Sequence, residues 1–289
     1  MKEIMNYNKF RDTLNETIFE KTKVDLLEKI AKYPNRYIGL FRPTKPKAKI
    51  LQNILQSHEI RFGGALENII EAYLEIKGCL LLQKQFINNK NEPLNVDLCF
   101  QLRDKIYFVE LKVRDDHDST KKRGQIQNFE KKLNVLLSKY DENKLVGIFY
   151  FIDPELQKNK NYYEEELTKM YKDYNIQTYI FYGKELFNFL GFNDIWDEIL
   201  KYLEKWKKEI PDLPEINFDI DAQQTFDEIK NVNPLIYRRL FENEEIYSQI
   251  ILTLFPEKKT LKLLYHYFLT KEKTIYKTLS NRIKELCQF

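Results

Sequence analysis

The chain is poor in the residues that punctuate and staple small proteins. Only 8 Gly and 9 Pro occur in 289 residues, which leaves little material for long flexible linkers. Three cysteines, Cys79, Cys99 and Cys287, are odd in number and far apart. They fit neither a disulfide framework nor a zinc site, and they point to a reducing compartment. Neither His58 nor His266 has a cysteine or histidine at ligand spacing, which argues further against structural zinc. No apolar run approaches the length that spans a bilayer. The stretch 1–10 carries charges and amides and no apolar segment, so no signal peptide is expected. A soluble cytoplasmic protein follows as the default.

A large charge imbalance is also missing. With 47 basic and 44 acidic residues the net charge is +3, too mild to establish nucleic-acid binding by itself. The charges are partly segregated: 42–49 and 114–132 are locally basic, whereas 164–166 is acidic. What the chain has in abundance is bulk. Its 19 Tyr and 20 Phe can fill a sizeable core, and 289 residues suffice for one large domain or two modest ones.

Residues 1 to about 57 read as polar helices broken by Gly39-Leu40-Phe41-Arg42-Pro43-Thr44-Lys45-Pro46, where two prolines exclude regular helix. From about Arg61, Ala65, Ile69, Ala72, Tyr73 and Ile76 recur at helical spacing until Gly78. The period then changes. Val96–Phe100 and Ile106–Val113 are short, branched and aromatic, and a polar connection joins them: a hairpin. After a polar loop, Ser119 or Thr120 can cap a helix to about Tyr140. Leu145–Ile152 reads as a buried strand, so a strand–helix–strand crossover and some parallel sheet are expected. A charged helix (162–174), a strand (176–182) and helices over 184–208 follow. Pro211 and Pro214 mark a boundary, and the rest is helical. The expectation is an α/β core at 60–210, with a helical and loop region at 1–59 and a helical C-terminal region at 211–289.

The chemistry-bearing stretch is Asp97, twelve intervening residues, then Glu110-Leu111-Lys112. Glu110 and Lys112 lie two apart on a strand and share a face, with Asp97 on the preceding strand of the hairpin. Two carboxylates can hold Mg²⁺ through hard oxygens, and an ammonium can steady an attacking water and the charge at phosphorus. An E-x-K pair alone is more often a solvated salt bridge. Here it sits among apolar neighbours, faces a further acid, and feeds into the polar loop Arg114-Asp115-Asp116-His117-Asp118-Ser119-Thr120-Lys121-Lys122-Arg123-Gly124-Gln125.

These residues resemble the D…(D/E)-x-K signature of the PD-(D/E)xK nuclease superfamily, with Asn95-Val96 where the name-giving proline often stands. The loop after the E-x-K strand looks like that of type II restriction endonucleases in this superfamily. The resemblance covers about residues 60–155. It implies a restriction-endonuclease-like mixed sheet flanked by helices, Mg²⁺ as cofactor, Asp97 and Glu110 as metal ligands, and Lys112 as the catalytic lysine. The helix containing Arg61-Phe62-Gly63-Gly64-Ala65-Leu66-Glu67 is similar to one that supplies an additional acid, for which Glu67 is the candidate and Glu71 the alternative. Gln125 resembles a glutamine on the helix beside the active site. Arg114, Lys121, Lys122 and Arg123 are candidate phosphate contacts. His117, among aspartates, is expected to have a raised pKa and to order the loop, not to act as a base. Tyr237-Arg238-Arg239 suits either DNA contact or helical packing, and Asn233-Pro234-Leu235-Ile236-Tyr237 has no glycine-rich cofactor loop to make it a methyltransferase motif.

The reading is therefore a type II restriction endonuclease acting on double-stranded DNA as a homodimer, with a protective methyltransferase as a separate chain. The alternatives are a repair or junction-resolving nuclease of the same superfamily, or a non-catalytic DNA-binding protein of the same fold.

Overall fold

A computed structural model describes residues 3–87 and 91–288. The first two residues of the 1–10 stretch and the last of 211–289 lie outside them. The chain opens with four helices, α1 (Tyr7–Phe19), α2 (Thr22–Lys32), α3 (Asn35–Ile38) and α4 (Pro46–Ile76). Three short strands follow, β1 (Leu80–Leu81), β2 (Gln85–Ile87) and β3 (Pro93–Asn95), then the longer β4 (Leu98–Leu102) and β5 (Lys105–Lys112). Next come α5 (Ser119–Leu137), β6 (Leu145–Phe151), α6 (Lys160–Tyr174), β7 (Gln177–Tyr182), α7 (Glu185–Leu190) and α8 (Asn193–Lys207). Residues 1–17 and 62–210 form one compact unit, and 18–61 with 211–289 form a second. The first sixty residues are thus divided between the two.

The first unit is a mixed α/β structure around a five-stranded sheet of order β1-β4-β5-β6-β7. β1, β4 and β5 pair antiparallel, whereas β5, β6 and β7 pair parallel. The parallel pairing of β5 with β6 across α5 is the crossover that the apolar run at 145–152 predicts. β6 is buried along its whole length, which is why it shows no alternation. Gly147 is required within it, since a Cβ there would stand 2.8 Å from Phe108 Cε1. Ile126, Phe129 and Leu133 of α5 and Tyr163, Leu167 and Met170 of α6 share one core with Phe108, Phe149 and Phe151 of the sheet. On the opposite face Tyr150 meets Phe187 of α7, and its hydroxyl donates to Gly183 O at 2.9 Å. Glu198 of α8 gathers the Tyr73 hydroxyl and the Ile4 and Met5 amides.

Three local expectations are corrected. Asp97 is not within a strand: it occupies a bend just before β4. Its carboxylate accepts the Leu111 amide at 2.8 Å, so the side chain takes up a backbone donor at the end of the β4–β5 ladder. The cap of α5 is Asp118, which accepts from the Thr120 and Lys121 amides; neither Ser119 nor Thr120 caps it. The helix from Arg61 proves to be the second half of α4, which starts at Pro46, the proline-compatible first position of a helix.

The second unit is helical. It adds α9 (Ala222–Ile229), α10 (Pro234–Glu242), α11 (Glu244–Ile246), a π-helical turn at Tyr247–Ile251, α12 (Leu252–Leu254), α13 (Lys259–Leu269) and α14 (Thr274–Cys287). Leu26, Leu27 and Ile30 of α2, Tyr37, Ile50 and Ile54 share one core with Ile229, Leu240, Leu264 and Ile283. Buried Asp219 accepts the Glu257 and Thr260 amides, fixing the start of α13. Tyr237 is buried in this core, which removes it from any DNA-facing role. Asn233 accepts the Leu235 amide and Pro234 follows at the first helical position, so Asn-Pro here marks a helix start. Among the described residues, no helix is long and apolar enough to cross a membrane.

Candidate active site

The strand period places Phe108, Glu110 and Lys112 on the face of β5 that looks toward α5, with Val109 and Leu111 turned the other way. Lys112 Nζ lies 2.7 Å from Glu110 Oε1, 3.2 Å from Asp97 Oδ2 and 2.7 Å from the Leu111 carbonyl. Three oxygens from two side chains and one peptide thus converge on one cationic nitrogen. Burial opposes the Lys112 ammonium, but Glu110 and Asp97 outweigh it and hold its pKa above the ordinary value.

A second lysine completes the cluster, and sequence reasoning missed it. Lys132 of α5 pairs with Glu110 Oε2 and lies 3.2 Å from Asp97 Oδ1. Both oxygens of each carboxylate are therefore engaged by a cation. Glu110, at 2% exposure, would be prohibitively desolvated without these partners. The available signal was helical spacing: Ile126, Phe129, Leu133 and Leu136 mark the inward face of α5, and Lys132 falls between them.

Glu67 of α4 is the third acid. Its pKa is raised to about 7, first by burial and then by the charge of Asp97, with Lys112 acting in the other direction. Two carboxylates balanced by two ammoniums leave little room for another negative charge. Glu71 instead pairs with Lys84 at 2.9 Å. Gln125 is buried, and its Oε1 accepts from the Tyr163 hydroxyl at 2.6 Å.

The loop that follows β5 is held by Asp115, which is fully buried. Asp115 accepts the Asn159 amide at 2.8 Å, the Asn159 side chain at 2.8 Å and the Tyr182 hydroxyl at 3.0 Å. His117 is overturned in one respect: its pKa is lowered, because burial and then the Lys121 ammonium outweigh Asp116 and Asp115. The backbone carbonyl of His117 accepts from Asn159 at 3.1 Å, while its Nε2 is buried without a hydrogen-bond partner. Arg114, Lys121 and Arg123 are exposed, and Lys122 lies 4.4 Å from the Tyr162 ring centroid. Because Asp118 already satisfies the Thr120 and Lys121 amides, those side chains, and not the amide donors of the helix end, are what this segment offers an anion.

Magnesium binds through one or two carboxylates together with water and substrate oxygens. Asp97, Glu110 and the Leu111 carbonyl form such a hard-oxygen set, with the Lys112 ammonium standing where a cation is wanted. Among the described residues, no three acidic, imidazole or thiol side chains already converge as a metal cage. The donor set fits an ion that shares its coordination with substrate.

A family model described as "Type II restriction endonuclease, HinfI" matches residues 6–85 and 75–207. The chain belongs to that family. It is a type II restriction endonuclease, a site-specific deoxyribonuclease, and its partner is DNA. The matched stretch contains every residue of the cluster above. A search of curated proteins finds none that matches the chain.

Proposed function

We propose that the chain is a PD-(D/E)xK nuclease with a restriction-endonuclease-like core, in which Asp97, Glu110 and the Leu111 carbonyl hold Mg²⁺ for hydrolysis of DNA phosphodiesters. The observation that carries this is the convergence of three oxygens on the Lys112 ammonium, beside a second, deeper lysine. When bound, the ion supplies Lewis acidity at the phosphoryl group and a more acidic water. The two lysines divide the remaining work. Lys132, with its side chain 5% exposed, is the fixed counter-charge that pairs with Asp97 and Glu110 and orients them. Lys112, 27% exposed, has the freedom to turn toward a scissile phosphate, where an ammonium stabilises developing negative charge. Glu67 supplies a further acid at the edge of the cluster, and Gln125 stiffens α5 beneath it through Tyr163. Arg114, Lys121, Lys122 and Arg123 contact phosphates next to the cut. Cleavage of both strands is performed by a cytoplasmic homodimer, and a separate methyltransferase protects the host sites.

The test is a digest of long unmethylated DNA with Mg²⁺, beside an EDTA control. Discrete fragments that vanish in EDTA are expected, and their ends identify the recognition sequence. A cut insensitive to EDTA would overturn the metal assignment, and a smear would remove the site specificity.

A further inference from the structure

The longest acid-free stretch of the chain lies between Glu28 and Glu59, in the unit that carries none of the catalytic cluster. It contains Lys29, Lys32, Arg36, Arg42, Lys45, Lys47 and Lys49 and no aspartate or glutamate, although the whole chain is nearly balanced in charge. In its middle, at the turn between α3 and α4, two large apolar side chains stand in solvent: Leu40 at 90% and Phe41 at 100% exposure. Single exposed apolar residues are common on protein surfaces, but two adjacent ones with no cover at all are not.

The turn is built to hold them there. Tyr37, just before it, is buried at 2% exposure and anchors α3 in the helical core. Gly39 is obligatory, because a Cβ at that position would stand 2.6 Å from the Asn35 carbonyl oxygen. Arg42 Nε closes the far side by donating to the same carbonyl at 3.2 Å. Pro43 and Pro46 then restrict the chain into α4. Lys45 and Lys47 are exposed beside the tip. On the approach, Arg36 stacks 4.2 Å from the Tyr33 ring centroid.

We propose that this turn is a DNA-binding wedge: Leu40 and Phe41 press against a base step of the duplex while Arg42, Lys45 and Lys47 contact the flanking phosphates. The proposal takes DNA as partner from the family assignment and adds a second contact element, remote in sequence from the catalytic motif. An apolar wedge needs surrounding cations to approach a polyanion, and unstacking a step lets sequence-dependent deformability contribute to site choice. A second copy of the chain is the poorer occupant, since a symmetric contact would bring like-charged segments together.

The experiment uses the full-length protein and the duplex that it cuts, in Ca²⁺ to separate binding from cleavage. Phe41→Ser, Phe41→Tyr and Lys45→Gln/Lys47→Gln are compared with wild type. Because these side chains are exposed, the variants should melt as wild type does. Phe41→Ser is expected to weaken binding roughly tenfold or more, as loss of an aromatic–base contact does, with Phe41→Tyr close to wild type. The double lysine variant should reduce the salt dependence of log affinity by about two, one unit per lost phosphate contact. A fluorescent base analogue moved along the duplex should brighten at one step with wild type and at none with Phe41→Ser. Wild-type affinity and salt slope in all variants, with cleavage intact, would overturn the wedge while leaving the endonuclease untouched. Loss of self-association with an unchanged salt slope would overturn it in favour of a dimer contact. If wild type cut no DNA, the catalytic reading would fall, and the affinity and salt-slope comparison, run on a random-sequence duplex, would still decide the wedge.

Discussion

The Lys132 ammonium lies against Glu110 Oε2, and both side chains are almost wholly out of water, at 5% and 3% exposure. In such a setting each charge depends on the other, and removing one partner strands the survivor in a medium that solvates it poorly. Lys132→Met keeps an unbranched side chain one atom shorter and deletes the charge. In EDTA this variant should lose about 3–5 kcal/mol of stability by denaturant unfolding. Added Mg²⁺ should restore part of the loss, because a cation bound to the same carboxylates replaces the missing one. Unchanged stability in EDTA would show that the pair contributes nothing to holding the site.

That pair also shows where sequence reasoning stopped. Glu110 and Lys112 were legible because two positions on one strand share a face whatever the strand packs against. Composition alone marks strands at 96–100, 106–113 and 145–152, each within two residues of the observed bounds, and the parallel pairing follows from the helix between two of them. Asp97 was found, but its place in a bend was not, since an amide accepted by a side chain leaves no periodic trace. Lys132 reads as surface, as a lysine among helix residues does, and only the three-dimensional approach of α5 to β5 makes it interior. β1, β2 and β3, two or three residues each, are too short to establish a period. The reversed shift of His117 has the same origin: the sequence shows the neighbouring aspartates but not the burial that outweighs them.

Lys112 lies against the same carboxylates as Lys132 but keeps access to solvent. Lys112→Ala should therefore leave DNA binding in Ca²⁺ near the wild-type level while lowering the single-turnover cleavage rate by roughly 10²–10³-fold, the usual cost of one electrostatic stabiliser of the transition state. Lys132 remains in this variant to neutralise Glu110. Equal losses of binding and rate would place Lys112 in ground-state binding of DNA.

Glu67 gives a pH dependence with a definite sign. Its carboxyl titrates near the ordinary 4.5 in the unfolded chain and at about 7 in the folded one. Between those values the folded state retains a proton that the unfolded state has released. The stabilisation is complete below the lower value and is lost as pH rises through the upper one. Metal-free wild type should accordingly become less thermostable from about pH 5 to about 7 relative to Glu67→Gln, whose amide has no proton to release. Parallel stability curves for the two proteins across that window would refute the assignment.

Asp115 offers a separate test of how the loop after β5 is held. Its carboxylate is fully buried and accepts the Asn159 amide, the Asn159 side chain and the Tyr182 hydroxyl. Asp115→Ala strands these donors together, so the loss should exceed about 2 kcal/mol. Tyr182→Phe removes one donor and leaves the carboxylate its two others, which predicts a cost nearer about 1 kcal/mol. The functional consequence should differ in the same order. The Lys112 carbonyl accepts the Ile152 amide at 2.9 Å and Val113 O accepts the Asp153 amide at 2.8 Å, so the strand end is tied to β6 independently of Asp115. Asp115→Ala should then loosen the loop bearing Arg114 and His117 more than the Asp97–Glu110–Lys112 cluster. Proteolysis within 114–118 should accelerate, and DNA affinity should fall more than the rate of cleavage of bound DNA. Should the cleavage rate of bound DNA fall first, Asp115 would be supporting β5 and the cluster on it.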